Sequence, residues 1–146
     1  MADVFTKEKR SEVMSRIRSK NTRLELVVFK FLRAHGVRFR KHYKGARGTP
    51  DVAVPAARAA VFIDGDFWHG WRYPSWRHKM KKKFWRDKIE RNRARDRRTF
   101  AALRRQGWKV LRVWEHDIMR DPFATLSRIE RFVTRAAATS ANARKK

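Results

Sequence analysis

The stretch Ala59-Ala-Val-Phe-Ile-Asp-Gly-Asp-Phe-Trp-His-Gly70 constrains the fold more than any other part of the chain. Ala59 to Ile63 is short and uniformly apolar, which suits a strand buried on both faces better than an amphipathic helix. It ends in a carboxylate, Asp64, and a glycine, and then exposes two aromatics and a histidine in a loop. Upstream, Gly48-Thr49-Pro50 is a turn that delivers a second carboxylate, Asp51, into another apolar strand, Val52 to Val54. Pro55 separates the two runs, as in a hairpin or a pair of close neighbours. Two adjacent strands with an acid at one end of each provide the oxygen ligands that a divalent ion such as Mg2+ requires. Each acid also has an ordinary explanation, since Asp51 follows a turn proline and Asp64 belongs to an Asp-Gly turn.

Charge favours the functional explanation. Among 146 residues, 39 Lys and Arg face 14 Asp and Glu, a formal net charge of +25 spread along the whole length. A compact chain this basic repels itself, and a polyanion is the simplest compensating partner. Double-stranded DNA leads the candidates. No apolar run approaches the roughly 20 residues of a membrane span, and no signal peptide opens the chain, so a soluble, cytoplasmic, nucleoid-associated protein is expected. The absence of cysteine excludes disulfides, thiolate zinc sites and cysteine nucleophiles. Six Trp and ten Phe are enough for a packed core. One domain is expected over residues 1–135, with 136–146 as a disordered tail.

Periodicity fills in the remaining elements. Met1 to Lys20 carries one narrow apolar stripe, Val13, Met14 and Ile17, and reads as a short basic helix with Arg16, Arg18 and Lys20 turned toward phosphate or solvent. Thr22-Arg-Leu-Glu25 is a capping-box pattern, after which Leu24, Val27, Val28, Phe31 and Leu32 recur at helical spacing until Gly36. Val37 to Tyr43 suits an edge strand. Lys79 to Gln106 reads as one long helix or two, apolar at Phe84, Trp85, Ile89, Phe100 and Leu103, and Gly107 stops it. Trp108 to Trp114 is a strand, and Asp121-Pro122 opens a last amphipathic helix through Phe123, Leu126, Ile129 and Phe132. The order predicts an α/β domain whose central mixed sheet is flanked by helices.

Four further groups are candidates for chemistry or binding. Glu25 is a third acid, although the third helical position of a capping box is also where a structural glutamate belongs. His69 lies in the loop five residues after Asp64 and is placed to act as general acid or base, whereas His35, His42 and His78 read as surface residues. Phe67, Trp68 and Trp85 are either core or a wedge that unstacks base pairs. The cationic run that includes Lys82, Lys83, Arg86 and Arg93 tracks a phosphate backbone or forms a solvated face.

In combination these residues resemble the very short patch repair endonucleases, enzymes of the PD-(D/E)XK-like, restriction-endonuclease-like superfamily that nick DNA at T·G mismatches. The resemblance runs through Met14-Ser-Arg-Ile-Arg-Ser-Lys-Asn-Thr-Arg-Leu-Glu25, Gly48-Thr-Pro-Asp51, Phe62-Ile-Asp-Gly-Asp-Phe-Trp-His69, Lys88-Ile-Glu-Arg-Asn-Arg-Ala-Arg-Asp96 and Gly107-Trp-Lys-Val-Leu-Arg-Val-Trp-Glu115. It implies that Asp51 is the principal magnesium ligand with the Ile63 carbonyl beside it, that Glu25 and His69 bind or activate water, and that Phe67, Trp68 and Trp85 intercalate. Mismatch-repair proteins are candidate partners beside DNA, and a monomer is expected, since one active centre suffices for a single nick.

Two departures from the family stand out. Asp64 occupies a position where some relatives carry histidine. The cysteines of a structural zinc site are replaced by residues including Asp66 and His116, so no such zinc is expected, and a hydrogen bond between that pair would substitute for the metal link. Two other readings remain open: a site-specific endonuclease of the mobile-element type that ignores mismatches, and a DNA-binding module without catalysis.

Overall fold

The computed structural model of the chain describes residues 23–66, 69–80 and 82–145, with side chains to residue 140. Its architecture follows from the apolar run read first. Strand β3 (Ala59–Asp64) is central to a four-stranded sheet of order β1-β2-β3-β4. The other strands are β1 (Arg40–Lys41), β2 (Val52–Val54) and β4 (Lys109–Trp114). β1 pairs antiparallel with β2, β2 antiparallel with β3, and β3 parallel with β4, so the sheet is mixed.

Five α-helices accompany these strands among the described residues: α1 (Arg23–Ala34), α2 (Tyr73–Trp76), α3 (Lys83–Arg105), α4 (Glu115–Arg120) and α5 (Pro122–Lys145). The period of two along β3 assigns its faces. Val61 packs with Val28, Phe29 and Leu32 of α1 and with Leu126, Ile129 and Val133 of α5. Ala60 and Phe62 pack instead with Phe100 and Leu103 of α3. Helices therefore cover both faces of the sheet, as the order of elements predicted. The chain passes from β3 to the parallel β4 by way of α3, the long crossover that a parallel pair needs.

Several boundaries differ from those read in the sequence. Only Arg40–Lys41 of the Val37–Tyr43 run pairs as a strand. The stretch from Lys79 resolves into a short 3-10 turn over Arg77–Lys79 and the single helix α3. α4 was not foreseen. Its first turn is tied by the Asp117 carboxylate, which accepts a hydrogen bond from the Trp114 N–H at 3.3 Å. At the start of α5, Asp121 Oδ1 accepts from the Ala124 N–H at 3.1 Å, the cap that Asp-Pro forecasts. The expected N-terminal helix and the Thr22 cap lie outside the described residues.

The end of the chain requires a correction. A tail was expected from Ala136, but α5 continues to Lys145. Ala136 is buried against Ala57 and Ala59, and Ser140 Oγ donates to the Ala56 carbonyl at 3.0 Å. Small side chains permit this close approach, and they also leave no periodic apolar signal. Strand β4 is the outer strand of the sheet, and a shallow cleft beside it is lined by Lys109, Leu111, Arg128, Arg131, Phe132 and Arg135. None of the helices described is long and apolar enough to cross a membrane.

The buried environment of Ala136 leads to a direct test. Ala136→Asp places an unpaired carboxylate between α5 and the Pro55–Ala57 turn, and is expected to lower the unfolding free energy by at least about 2 kcal/mol in urea titrations. A residue in a mobile tail would leave the midpoint unchanged.

Candidate active site

The β2–β3 hairpin brings both predicted acids to one end of the sheet, because Asp51 precedes β2 and Asp64 ends β3 in antiparallel register. Asp51 Oδ2 accepts a hydrogen bond from the Ile63 N–H at 2.7 Å, which locks the carboxylate to the neighbouring strand. The first turn of α1 delivers Glu25 to the same place. Glu25, His42 and Asp51 form one group whose potential ligand atoms all lie within 4.8 Å of one another. His42 stands between the acids, with Nε2 3.8 Å from Glu25 Oε2 and Nδ1 3.8 Å from Asp51 Oδ1.

His42 corrects the sequence reading, which left it on the surface. Its side chain is only 15% exposed and its ring meets Phe29 edge-on at 5.6 Å. The ladder explains its position. Arg40 pairs with Ala53 and Lys41 with Val52, so continuing the register sets His42 opposite Asp51, and the His42 N–H donates to the Asp51 carbonyl at 3.1 Å.

A second group contains Asp64, His69 and Asp96. His69 Nδ1 is 2.7 Å from Asp96 Oδ2, and its Nε2 is 3.4 Å from Asp64 Oδ1. Arg112 donates to Asp64 Oδ2 through Nε at 2.8 Å and to Asp96 Oδ2 through Nη2 at 2.7 Å. Asp51 and Asp64, expected to ligate one ion together, thus fall into different groups. Asp96 and Arg112 were not singled out in the sequence, yet each leaves a mark there. Asp96 sits on the buried stripe of α3, seven residues after Ile89 and four before Phe100, and Arg112 interrupts the apolar run of β4.

The loop after β3 holds His69 in place by its backbone. The His69 N–H donates to the Gly65 carbonyl at 3.3 Å and the Trp71 N–H to the Asp66 carbonyl at 2.9 Å. Gly70 has φ +69°, and a Cβ there would come within 2.6 Å of Arg93 Cδ and 2.9 Å of Ile89 Cγ2, so only glycine lets the loop press on α3. Beyond it, Asp66 Oδ1 is 2.8 Å from His116 Nδ1, Trp71 packs on the His116 ring at 3.8 Å, and Glu115 Oε1 accepts from the Asp66 N–H at 3.3 Å. The pair named in the sequence is in contact and joins the loop to α4.

The basic residues Lys82, Lys83, Arg86 and Arg93 lie on or beside α3. Trp85 is half-buried and meets exposed Phe84 edge-on at 4.8 Å. Phe67, Trp68, Arg16, Arg18 and Lys20 lie outside the described residues.

Electrostatics distinguish the two acid groups. Burial, and then the hydrogen bond and charge of Glu25, push the Asp51 carboxyl up to about 9, against the lowering effect of the Ile63 N–H. Two buried carboxylates side by side cannot both ionise cheaply without a cation, which is the condition a hard divalent ion satisfies. The Glu25–Asp51 donor set therefore fits a magnesium-type ion. Burial also raises Asp64, but His69 and Arg112 oppose that rise.

The chain is similar to known proteins over most of its length. The family model described as DNA mismatch endonuclease Vsr matches residues 2–75. The Type II nicking enzyme V.XorIIP of Xanthomonas oryzae pv. oryzae is 43% identical over 123 residues, which is 81% of this chain and 88% of that protein. The Type II nicking enzyme V.HpaIIP of Haemophilus parainfluenzae is 38% identical over 123 residues, 82% of this chain and 87% of its own. The DNA mismatch endonuclease Vsr of Escherichia coli is 37% identical over 120 residues, 79% of this chain and 74% of its own.

Two outcomes are expected of the described geometry. A carboxyl whose pKa is higher in the folded than in the unfolded chain favours folding fully below its unfolded value, and loses that contribution as pH rises toward the folded value. Metal-free protein should therefore lose stability between the ordinary value of 3.8 and about 9 through Asp51. Asp51→Asn, which cannot ionise, is expected to be about 1–3 kcal/mol more stable than the parent at the alkaline end, and equal to it at the acid end, in urea unfolding with EDTA. For Asp66 and His116, a double-mutant cycle of Asp66→Asn and His116→Gln is expected to show a coupling of about 1.5–3 kcal/mol, and additive losses would deny the contact any energy of its own.

Proposed function

The chain belongs to the DNA mismatch endonuclease Vsr family and is a DNA endonuclease, and on that premise we propose that it nicks one strand of duplex DNA beside a T·G mismatch with the help of Mg2+. The observation that carries the metal reading is the geometry of Glu25, His42 and Asp51, whose ligand atoms lie within 4.8 Å of one another; burial first, and then Glu25, raise the Asp51 pKa, a cost that a bound cation would relieve. Asp51 and Glu25 would hold the ion, with the Ile63 carbonyl as a further ligand and His42 flanking both acids. Such an ion, when bound, lowers the pKa of water and neutralises charge on the phosphate.

The chain's own groups do the rest. His69 Nδ1 lies against Asp96, and Nε2, 3.4 Å from Asp64 Oδ1, would be the atom that accepts or returns the proton. Lys82, Lys83, Arg86 and Arg93, with Arg16, Arg18 and Lys20, neutralise backbone phosphates and set register on the duplex without reading bases. Phe67, Trp68 and Trp85 act as a wedge, and a mismatched pair is cheaper to unstack than a normal one. One centre cuts one strand, so a monomer is sufficient, and mismatch-repair proteins are the expected protein partners.

A second reading keeps the site and changes what is recognised. The names of the Type II nicking enzymes support cleavage at a specific sequence, with or without a mismatch.

End-labelled duplexes that are matched or carry one T·G pair, incubated with Mg2+ or EDTA, separate these readings. A Mg2+-dependent nick beside the mismatch is expected, slowed more than about a hundredfold in Asp51→Ala. Equal nicking of the matched duplex would replace the mismatch reading with the sequence-specific one. Tight binding without cleavage of either duplex, across sequence contexts, would leave a DNA-binding module.

A further inference from the structure

Arg112 is a charged side chain that interrupts the apolar run of β4 and contacts both acids of the second group. It lies between Leu111 and Val113 in β4, level with Phe62 of β3, where an inward-facing position is ordinarily apolar. A guanidinium at such a place persists only if it is paired. Here it packs against two aromatic rings. Its carbon lies 4.0 Å from the Trp114 ring centroid and 5.1 Å from that of Phe100, and its side chain is 24% exposed.

Its polar atoms reach two elements at once. Nε donates to Asp64 Oδ2 at the end of β3, and Nη2 to Asp96 Oδ2 on α3. The same Asp96 oxygen is 2.7 Å from His69 Nδ1. The fork geometry of Arg spans two carboxylates in a way that the single point charge of Lys does not. The inner oxygens of both acids are thus occupied, and the side chain that occupies them already carries the positive charge a second metal ion would bring.

We infer that Arg112 is a positioning residue: by bridging Asp64 and Asp96 it fixes the orientation of the His69 imidazole and closes this acid group to a divalent cation. One ion-binding group, Glu25–His42–Asp51, and one hydrogen-bonded frame for His69 then divide the work. The consequence for catalysis rests on the reading of His69 as the proton carrier, but the consequences for orientation and metal count do not.

The test uses the full chain with Arg112→Met and Arg112→Lys. In metal-free, DNA-free protein, 15N NMR of the histidine rings is expected to show the His69 Nδ1 resonance displaced in both variants, because neither side chain makes two directed bonds. Titration with Mn2+ followed by electron paramagnetic resonance is expected to show one more site in Arg112→Met than in the parent, and Asp64→Asn added to that variant should abolish it. Single-turnover nicking of the mismatched duplex is expected to slow about 10- to 100-fold while the Kd for DNA in EDTA stays within about twofold.

An unmoved His69 resonance with unchanged Mn2+ stoichiometry overturns the inference, as does a fall in DNA affinity with an unchanged nicking rate, which would make Arg112 a phosphate contact. Should Arg112→Met fail to fold, the resonance in Arg112→Lys decides alone. If the parent nicks neither duplex, the functional reading fails, while the resonance and the Mn2+ count still judge Arg112.

Discussion

Among the described residues, the charged side chains buried most deeply, Glu25, Asp64 and Asp96, are all acids, in a chain whose formal charge is +25. Withdrawing a carboxylate from water costs several kcal/mol unless partners replace the solvent. Each of the three is compensated within one small region, where the ends of β2 and β3, the first turn of α1 and the middle of α3 converge. Asp64 and Asp96 are compensated by Arg112 and His69. Beside Glu25 and Asp51 stands His42, with a ring nitrogen 3.8 Å from each acid. A basic exterior around an acidic pit attracts a polyanion to the surface and a cation to the interior, which is the arrangement a metal-dependent nuclease uses.

The sheet is what makes such a pit possible. β3 is buried on both faces, so its side chains alternate between the helix pair α1 and α5 and the single helix α3. Asp64 continues the α3-facing row of Ala60 and Phe62 and meets Asp96 and Arg112 there, whereas Asp51 reaches the ladder through the Ile63 N–H from outside β2. Two acids a few residues beyond one hairpin thereby enter two distinct electrostatic settings. On the proposed reading, that separation would let one group bind an ion and the other steer an imidazole.

Much of this was legible in the sequence because it depended on period and punctuation. The apolar runs at Ala59 and Val52, the stripe on α1, the glycine stops and the Asp-Pro cap each have a local physical cause. Asp51 and Asp64 could be found for the same reason, since an acid at a strand end is visible in one dimension. His42 could not, because its place opposite Asp51 follows from the register of a two-residue strand with its neighbour. Asp96 and Arg112 are intermediate cases: each breaks an apolar pattern, but only the packing of α3 on β4 shows that the two breaks satisfy each other. The continuation of α5 past Ala136 was hidden because alanine packed on alanine looks, in a sequence, like no packing at all.

The outer strand β4 ends the sheet with a row of backbone groups that no other described strand covers. Exposed edges of this kind are templates for unwanted strand pairing between copies. Here the approach is lined by Lys109, Arg128, Arg131 and Arg135, three of them carried by α5. A second copy approaching edge to edge would set two such rows of positive charge against each other. The same excess of cations that suits a polyanion therefore also opposes extension of the sheet by a second copy, through repulsion between like-charged rows.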